Sequence, residues 1–270
     1  MLRTVACTCI IAFGAVGCRI TAFDRPIVAQ SPDGAVQPAR DPAATKRLAM
    51  TDPLGFLRMC RENYLAWVSD YRCDFAIREH VAEVLSEEEH IEVLFRQEPF
   101  SVHMRWRGES RPAHRLSYVA GRWNVDGQEY ALVVPSGVLR WLAPAGVKQD
   151  IHSPLMRAAS TRPVDQFGFL NTLDFIINYC ESARDDPAYD LSYVDIDVVD
   201  NRPCYVFERR LPYTGTDGPY PNRLLVLYID AEWLVPTTCL AYADDAAQEL
   251  LGSYITTSAQ FNVGLTDEDF

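Results

Sequence analysis

Histidine and glutamate side chains cluster near residues 79–90, at the junction of two predicted strands. Glu79 and His80 precede the junction, and Glu87–Glu89 and His90 follow it. Imidazole and carboxylate groups that converge in this way are typical ligands of a divalent metal ion. A glutamate-rich hairpin end is more commonly a solvated surface, so the sequence favours no metal site here.

Motifs that would indicate an enzyme are missing from the sequence. It contains no G-x-S-x-G motif, no glycine-rich phosphate loop and no H-E-x-x-H motif. The acidic pairs Asp185-Asp186 and Asp244-Asp245 are typical of helix ends and turns rather than of paired catalytic carboxylates. We therefore expect a protein that is not an enzyme and needs no cofactor.

The thiol of Cys18 is a candidate for covalent lipid attachment. Residues 1–17 combine Arg3 with an apolar run of about a dozen residues, too short to span a bilayer and typical of a secretory signal. The break at Ala15-Val16-Gly17-Cys18 resembles the bacterial lipobox, in which the cysteine receives a diacylglyceryl group before cleavage. Ordinary signal cleavage is the alternative. The sequence thus predicts a signal peptide over residues 1–17 and a lipid-attachment site at Cys18.

A disordered linker is predicted behind this cysteine, over residues 18–51. The segment contains Pro26, Pro32, Pro38 and Pro42 and shows no apolar periodicity. A flexible tether of this kind reaches roughly 30 Å. The folded domain, predicted over residues 52–270, would then stand away from the membrane.

Net charge excludes one class of partner. The chain carries 25 lysines and arginines against 37 aspartates and glutamates, a net charge of −12. Binding to nucleic acid phosphates needs a concentrated basic face, and the scattered Arg105, Arg107, Arg111 and Arg115 more readily form a solvated rim. We expect no nucleic-acid partner.

Five cysteines follow Cys18, and their number leaves two possibilities open. An odd count allows at most two disulfides, and no C-x-x-C or Cys/His spacing indicates a zinc site. The thiols are either all free and buried or include one bridge. These residues are Cys60, Cys73, Cys180, Cys204 and Cys239.

Apolar spacing of three or four residues predicts two helices. The first begins at Thr51-Asp52-Pro53, where a capping side chain precedes a proline, and continues through Leu57, Cys60 and Tyr64. The second lies within residues 161–184 and interrupts the strands.

Alternation of apolar and polar residues predicts antiparallel strands with one dry and one wet face. Asp126-Gly127 is a hairpin-type turn between two of them. The predicted strands cover residues 71–81, 91–95, 100–106, 115–120, 123–125, 130–134, 139–142, 191–199, 204–210, 223–229, 237–242 and 253–261.

Short motifs recur in a fixed order in the C-terminal third and in the middle of the chain. They are Leu227-Tyr228-Ile229-Asp230, Val235-Pro236-Thr237, Gly252-Ser253-Tyr254-Ile255 and residues 261–270 in the C-terminal third, and Asp70-Tyr71, residues 98–102 and residues 118–121 in the middle. With these motifs the C-terminal third resembles periplasmic lipoprotein-sorting proteins of the LolA/LolB type, and the middle is similar to a related family of exported bacterial proteins of unknown function. Together the two resemblances cover about residues 53–270.

This resemblance implies an α+β fold that is mainly antiparallel β, an open half-barrel sheet whose apolar cavity is covered by helices and holds acyl chains. The dry-face side chains of three early strands would line the cavity, or would form an ordinary core if the sheet fills itself. They are Phe75, Ile77, Val93, Phe95, Val102, Met104 and Trp106.

Two functions are compatible with these patterns. The first is a non-catalytic envelope lipoprotein that binds a lipid or an acylated protein and is held to a membrane through its N-terminal lipid. The second is an interaction or sensor module that uses the same fold to bind an envelope protein partner. Both place the protein on the periplasmic side of the cell envelope, and Arg19 after Cys18 favours the outer membrane over the inner one.

Overall fold

A computed structural model describes residues 40–81, 84–108, 113–215 and 218–270 of the chain. The predicted signal peptide, Cys18 and most of the predicted linker lie outside the described residues, as does Arg111. No helix in the described part is both long and apolar enough to cross a membrane.

The two predicted helices are present, and the described residues contain three further helices that the sequence did not predict. Asp52 accepts a hydrogen bond from the Gly55 N–H at 2.9 Å and Pro53 occupies the first turn, so the predicted helix start is confirmed. The second predicted helix is confirmed but begins at Phe169, after a 3₁₀ turn at Val164–Gln166. The helices are α1 (Pro42–Thr51), α2 (Pro53–Trp67), α3 (Leu139–Leu142), α4 (Pro154–Ala159) and α5 (Phe169–Ser182).

The predicted disordered linker over residues 18–51 is wrong at its end, because the last ten residues of that segment form helix α1. Asp41 caps the helix by accepting from the Ala43 N–H at 2.9 Å, and Ala49 is fully buried. Arg40, just before it, donates to the Glu232 carbonyl at 2.9 Å and to Asn63 Oδ1 at 2.5 Å. The folded domain therefore begins by residue 40 and not at residue 52.

Thirteen strands in the described residues form one antiparallel sheet. Its path runs β6-β7-β5-β4-β3-β1-β13-β12-β11-β10-β9, with β2 added to β1 and β8 added to β7. The strands are β1 (Asp70–Val81), β2 (Val84–Leu85), β3 (Glu89–Arg96), β4 (Ser101–Arg107), β5 (Ala113–Val119), β6 (Asn124–Val125), β7 (Gln128–Pro135), β8 (Val147–Asp150), β9 (Asp190–Val199), β10 (Arg202–Arg210), β11 (Leu224–Asp230), β12 (Pro236–Tyr242) and β13 (Leu250–Phe261).

The sheet is not closed, since β9 and β6 at the ends of its path do not pair with each other, and the predicted α+β class with an open, mainly antiparallel sheet is confirmed. The first and last long strands pair at its centre, with Phe75 opposite Thr256. One strand prediction is wrong. Residues 139–142 form α3, where Leu139, Trp141 and Leu142 are all more than half exposed, so no dry face exists to hold them in a strand.

Two apolar core clusters occupy the same side of the sheet, which we call the covered face. The first lies between helices α2 and α5 and strands β10 to β12, and contains Phe56, Leu173 and Phe207. The second lies against β1, β3, β4 and β5, and contains Tyr71 and Phe95. Residues just before and at the start of α5, such as Val164 and Phe169, complete the second cluster.

Candidate ligand site on the covered face

The seven residues predicted to line a cavity all lie in or against the second core cluster. Strand pairing places Val93 opposite Met104 and Phe95 opposite Val102. Val93, Phe95, Val102 and Met104 are buried, whereas Phe75, Ile77 and Trp106 are partly buried. The sequence therefore identified a common apolar surface. The structure shows this surface packed against other side chains.

Residues 151–168 cover that surface, and we call them the covering segment. The Phe167 ring meets Phe75 edge-on, with 5.4 Å between ring centroids, and Ile151 is fully buried. Immediately after the segment, Phe169 of α5 lies 4.6 Å from the Tyr71 ring centroid. Aromatic contacts thus join the covering segment and the start of α5 to the middle of the sheet.

Glu79 joins the covering segment to two central strands. Its carboxylate accepts hydrogen bonds from the Tyr254 hydroxyl at 2.9 Å, the Ser160 hydroxyl at 3.0 Å and the Thr161 N–H at 3.2 Å, and it also contacts the Thr161 hydroxyl. The side chain is almost fully buried. Burial and the nearby Glu79 carboxylate raise the pKa of Tyr254. Glu79 therefore fastens the covering segment to β1 and β13.

This role separates Glu79 from the histidines and glutamates that sequence analysis grouped with it. His90 Nε2 lies 3.2 Å from Glu88 Oε1, at exposed positions on the hairpin. The described residues contain no group of three histidine, cysteine or acidic side chains placed to hold a metal ion. The two strand ends come together, but the Glu79 carboxylate is committed to the covering segment.

Arg209 is a buried charged group that sequence reasoning missed. It occupies a dry-face position of β10, in the alternating series Tyr205, Phe207, Arg209 and Leu211, and is 2 % exposed. Its Nη2 donates to Asn222 Oδ1 at 2.7 Å. A charged residue in an otherwise apolar strand face was a signal available in the sequence.

An exposed apolar tip lies between β7 and β8. We define the apolar tip as residues 138–142, in which Val138, Trp141 and Leu142 are 77 to 80 % exposed. The Arg140 guanidinium lies 5.4 Å from the Trp141 ring centroid. A contiguous exposed patch of large apolar side chains is a common mark of an interaction surface.

Other candidate groups have structural partners. Asp244 accepts hydrogen bonds from the N–H groups of Ala246 at 2.7 Å and Glu249 at 2.7 Å, as expected of a turn residue. Arg107 pairs with Asp74 at 2.5 Å, and its side chain is about half exposed, as expected of a solvated rim.

The model of a family described as "Protein of unknown function (DUF1571)" matches residues 68–270. A search of curated proteins gave no match.

Among solved structures, the MucA/MucB complex of Pseudomonas aeruginosa is similar at 14% identity and a TM-score of 0.47, over 81% of this chain and 60% of the matched chain. This chain therefore spans less than two thirds of that matched chain. The lipoprotein LppX of Mycobacterium tuberculosis is similar at 10% identity and a TM-score of 0.41, over 80% of this chain and 99% of LppX. A LolA superfamily protein of Nitrosomonas europaea is similar at 9% identity and a TM-score of 0.29, over 79% and 96% of the two chains.

Proposed function

This chain belongs to the DUF1571 family, and we propose that it is a non-catalytic envelope lipoprotein that binds a lipid, or the acyl chain of a lipoprotein, on the covered face of its sheet. The observation that carries this proposal is the apolar surface beneath the covering segment. Seven apolar residues of β1, β3 and β4 share that surface, and polar contacts to Glu79 help to hold the segment over it.

The energetics favour an acyl chain as the ligand. Burial of about fifteen methylene groups at roughly 0.8 kcal/mol each supplies on the order of 10 kcal/mol before ordering costs. Ring contacts such as that of Phe167 with Phe75 would be replaced by contacts with the ligand. A ligand of this kind needs no catalytic group, and the covered face offers it apolar side chains.

The cellular location is part of the same proposal. Lipid attachment at Cys18 would hold the protein on the periplasmic side of a membrane, and Arg19 favours the outer membrane. A diacylglyceryl anchor has two acyl chains, enough for stable attachment to a membrane, so with a linker between Cys18 and the folded domain it fits a fixed receptor better than a diffusing carrier. We expect Cys18→Ala to lose the lipid mass and the membrane attachment. Unchanged mass and membrane association in this variant would refute the anchor.

Photocrosslinking in cells tests the binding site on the full chain. Benzoylphenylalanine replaces Phe75, at the covered face, and the irradiated protein is analysed by mass spectrometry. The matched position is Arg105, about half exposed and on the other face of the sheet. We expect lipid adducts from position 75 and none from position 105. Adducts from both positions, or from neither, would refute lipid binding on the covered face.

A second candidate function, binding of an envelope protein, is favoured by the apolar tip. Val138, Trp141 and Leu142 are exposed beside the positive charge of Arg140. The partner would present an apolar surface flanked by acidic groups. This alternative predicts that Trp141→Ser abolishes partner capture, whereas Phe75→Ala on the covered face leaves partner capture intact. Loss of partner capture in Phe75→Ala alone would favour the lipid instead.

A further inference from the structure

The Arg209 guanidinium is buried without an acid partner. Among the described residues no carboxylate forms an ion pair with it, and its Nε has no hydrogen-bond acceptor. Within the described residues its guanidinium donates a hydrogen bond to the neutral Asn222, which is itself buried. Of the five N–H donors of an arginine, few are therefore used.

The surroundings of Arg209 confirm that no carboxylate compensates its charge. Burial is the main cause that lowers the pKa of Arg209, and the groups that oppose it are the thiols of Cys180 and Cys239 and the phenol of Tyr179. The Tyr179 ring centroid lies 5.9 Å from the guanidinium carbon. Burying an unpaired charge costs several kcal/mol, so an apolar side chain would serve stability better at this position.

A second cation approaches from the covering segment. Arg162 lies over the Phe175 ring of α5, with 4.4 Å between the guanidinium carbon and the ring centroid, and its charge also lowers the pKa of Arg209. Glu79 and Arg162 both act on Tyr254, but the Glu79 carboxylate already accepts hydrogen bonds from Ser160 and Thr161. Two positive charges therefore act on the region between α5 and the sheet.

We propose that Arg209 binds the anionic group of the ligand, so that the ligand is an amphiphile with a carboxylate or phosphate and not a neutral lipid. This inference rests on the proposed function and names its substrate class. The planar guanidinium is suited to bidentate recognition of either anion. The covering segment, which carries Arg162 and is held by Glu79, connects the surroundings of Arg209 to the apolar surface proposed to hold the acyl chain.

Native mass spectrometry on the full chain tests the proposal with three probes, namely oleate, oleyl alcohol and inorganic phosphate. We expect the wild type to bind oleate at least about tenfold more tightly than oleyl alcohol, a difference of about 1.4 kcal/mol. Arg209→Met should remove that difference while it still binds oleyl alcohol. The matched control is Arg210→Met, because Arg210 is the next residue of β10, lies on the opposite face and pairs with Glu208 at 2.7 Å. It should keep the wild-type difference.

Each remaining outcome is decisive. Equal binding of oleate and oleyl alcohol by the wild type overturns the role of Arg209 and leaves lipid binding intact, even if Arg209→Met does not fold. Binding of neither probe overturns the proposed function together with this inference. If inorganic phosphate binds as tightly as oleate, the ligand is a free anion and the proposal of an amphiphilic ligand is overturned. An unchanged preference for oleate in Arg209→Met also overturns the proposal.

Discussion

The Asp70 carboxylate accepts the backbone N–H of Gly264, which lies 3.2 Å from each of its two oxygens. The neighbouring Val263 N–H donates to the same carboxylate at 2.6 Å. Asn262, in the left-handed region with φ +54°, accepts from the Ser69 N–H at 2.9 Å. The C-terminal motif that resembles lipoprotein-sorting proteins is thus a device that holds the tail at the start of β1.

Replacement of Asp70 should therefore destabilise the fold. A buried carboxylate that accepts several N–H groups leaves them without acceptors when it is removed, so we expect Asp70→Ala to lower the free energy of unfolding by about 3 kcal/mol. Urea denaturation measures this loss. Glu181→Ala is the matched control, because Glu181 and its partner Arg58 are both about half exposed. Equal losses in both variants would contradict the assignment.

Glu79→Gln should loosen the covering segment. The Thr161 N–H donates directly to Glu79 Oε2, and an amide at this position presents one donor to a set of donors. We expect hydrogen exchange at the Thr161 amide to accelerate about tenfold, which corresponds to about 1.4 kcal/mol of local stability. Glu92→Gln, at a partly exposed ion pair with Arg107, is the control. Protection that stays at the wild-type level in Glu79→Gln would show that aromatic packing alone holds the segment.

Much of the fold could be predicted from sequence because its strands are half buried. Each long strand alternates, and alternation specifies both the element and the face, which is why the seven residues from Phe75 to Trp106 come together as predicted. Helix α1 was missed because only Thr45 and Ala49 are buried in it, too few to make an apolar stripe. Residues 139–142 were misassigned because an exposed run of apolar residues resembles a strand.

The contacts of Glu79 could not be predicted from sequence. Its partners Thr161 and Tyr254 lie 82 and 175 residues away, and no local pattern records such distances. Arg209 differs, because its place in an apolar alternation was visible before its neighbours were known. A single charged residue within the apolar alternation of a strand is therefore a feature that the sequence alone can identify in this chain.

The five cysteines that follow Cys18 are free and buried, so the alternative of one bridge among them is wrong. Burial raises the pKa of each thiol, for Cys204 to about 11. We expect iodoacetamide at pH 8 to leave these cysteines unmodified in the native protein and to add five groups in urea without a reductant. Three groups in urea would indicate a disulfide.

Acidification should weaken the fold through His103. Burial, followed by the charges of Arg115 and Arg105, lowers the pKa of His103, and its Nδ1 lies 2.8 Å from the Ser117 hydroxyl. The unfolded chain then binds the proton more readily, so stability present above pH of about 6.5 is lost as the pH falls towards the folded pKa. The free energy of unfolding, measured by urea denaturation, should differ less between pH 7.5 and pH 5.5 for His103→Gln than for the wild type. His90→Gln is the control for the loss of an exposed histidine. If His103→Gln shows the same pH difference as the wild type, His103 is not the source of the acid sensitivity.

Gly168 sets how closely the covering segment approaches the sheet. Its φ is +108°, and a Cβ placed there would lie 2.9 Å from Phe95 Cε2 and 3.3 Å from the Tyr71 hydroxyl. Gly168→Ala therefore combines backbone strain with a steric clash, and we expect it to lower the free energy of unfolding by about 2 to 4 kcal/mol. Gly121→Ala is the control for a positive φ without a clash, because Gly121 has φ +77° and no atom within 4 Å of its Cβ position. Gly168 also has ψ 167°, a region that essentially only glycine adopts, so a larger loss for Gly168→Ala in urea denaturation reports its backbone strain together with the contact with Phe95.

Because Phe95 lies on the proposed lipid surface, Gly168→Ala should also raise the yield of lipid adducts from benzoylphenylalanine at position 75, whereas Gly121→Ala should not. Equal stability losses with unchanged adduct yields would mean that this contact does not control access to the covered face.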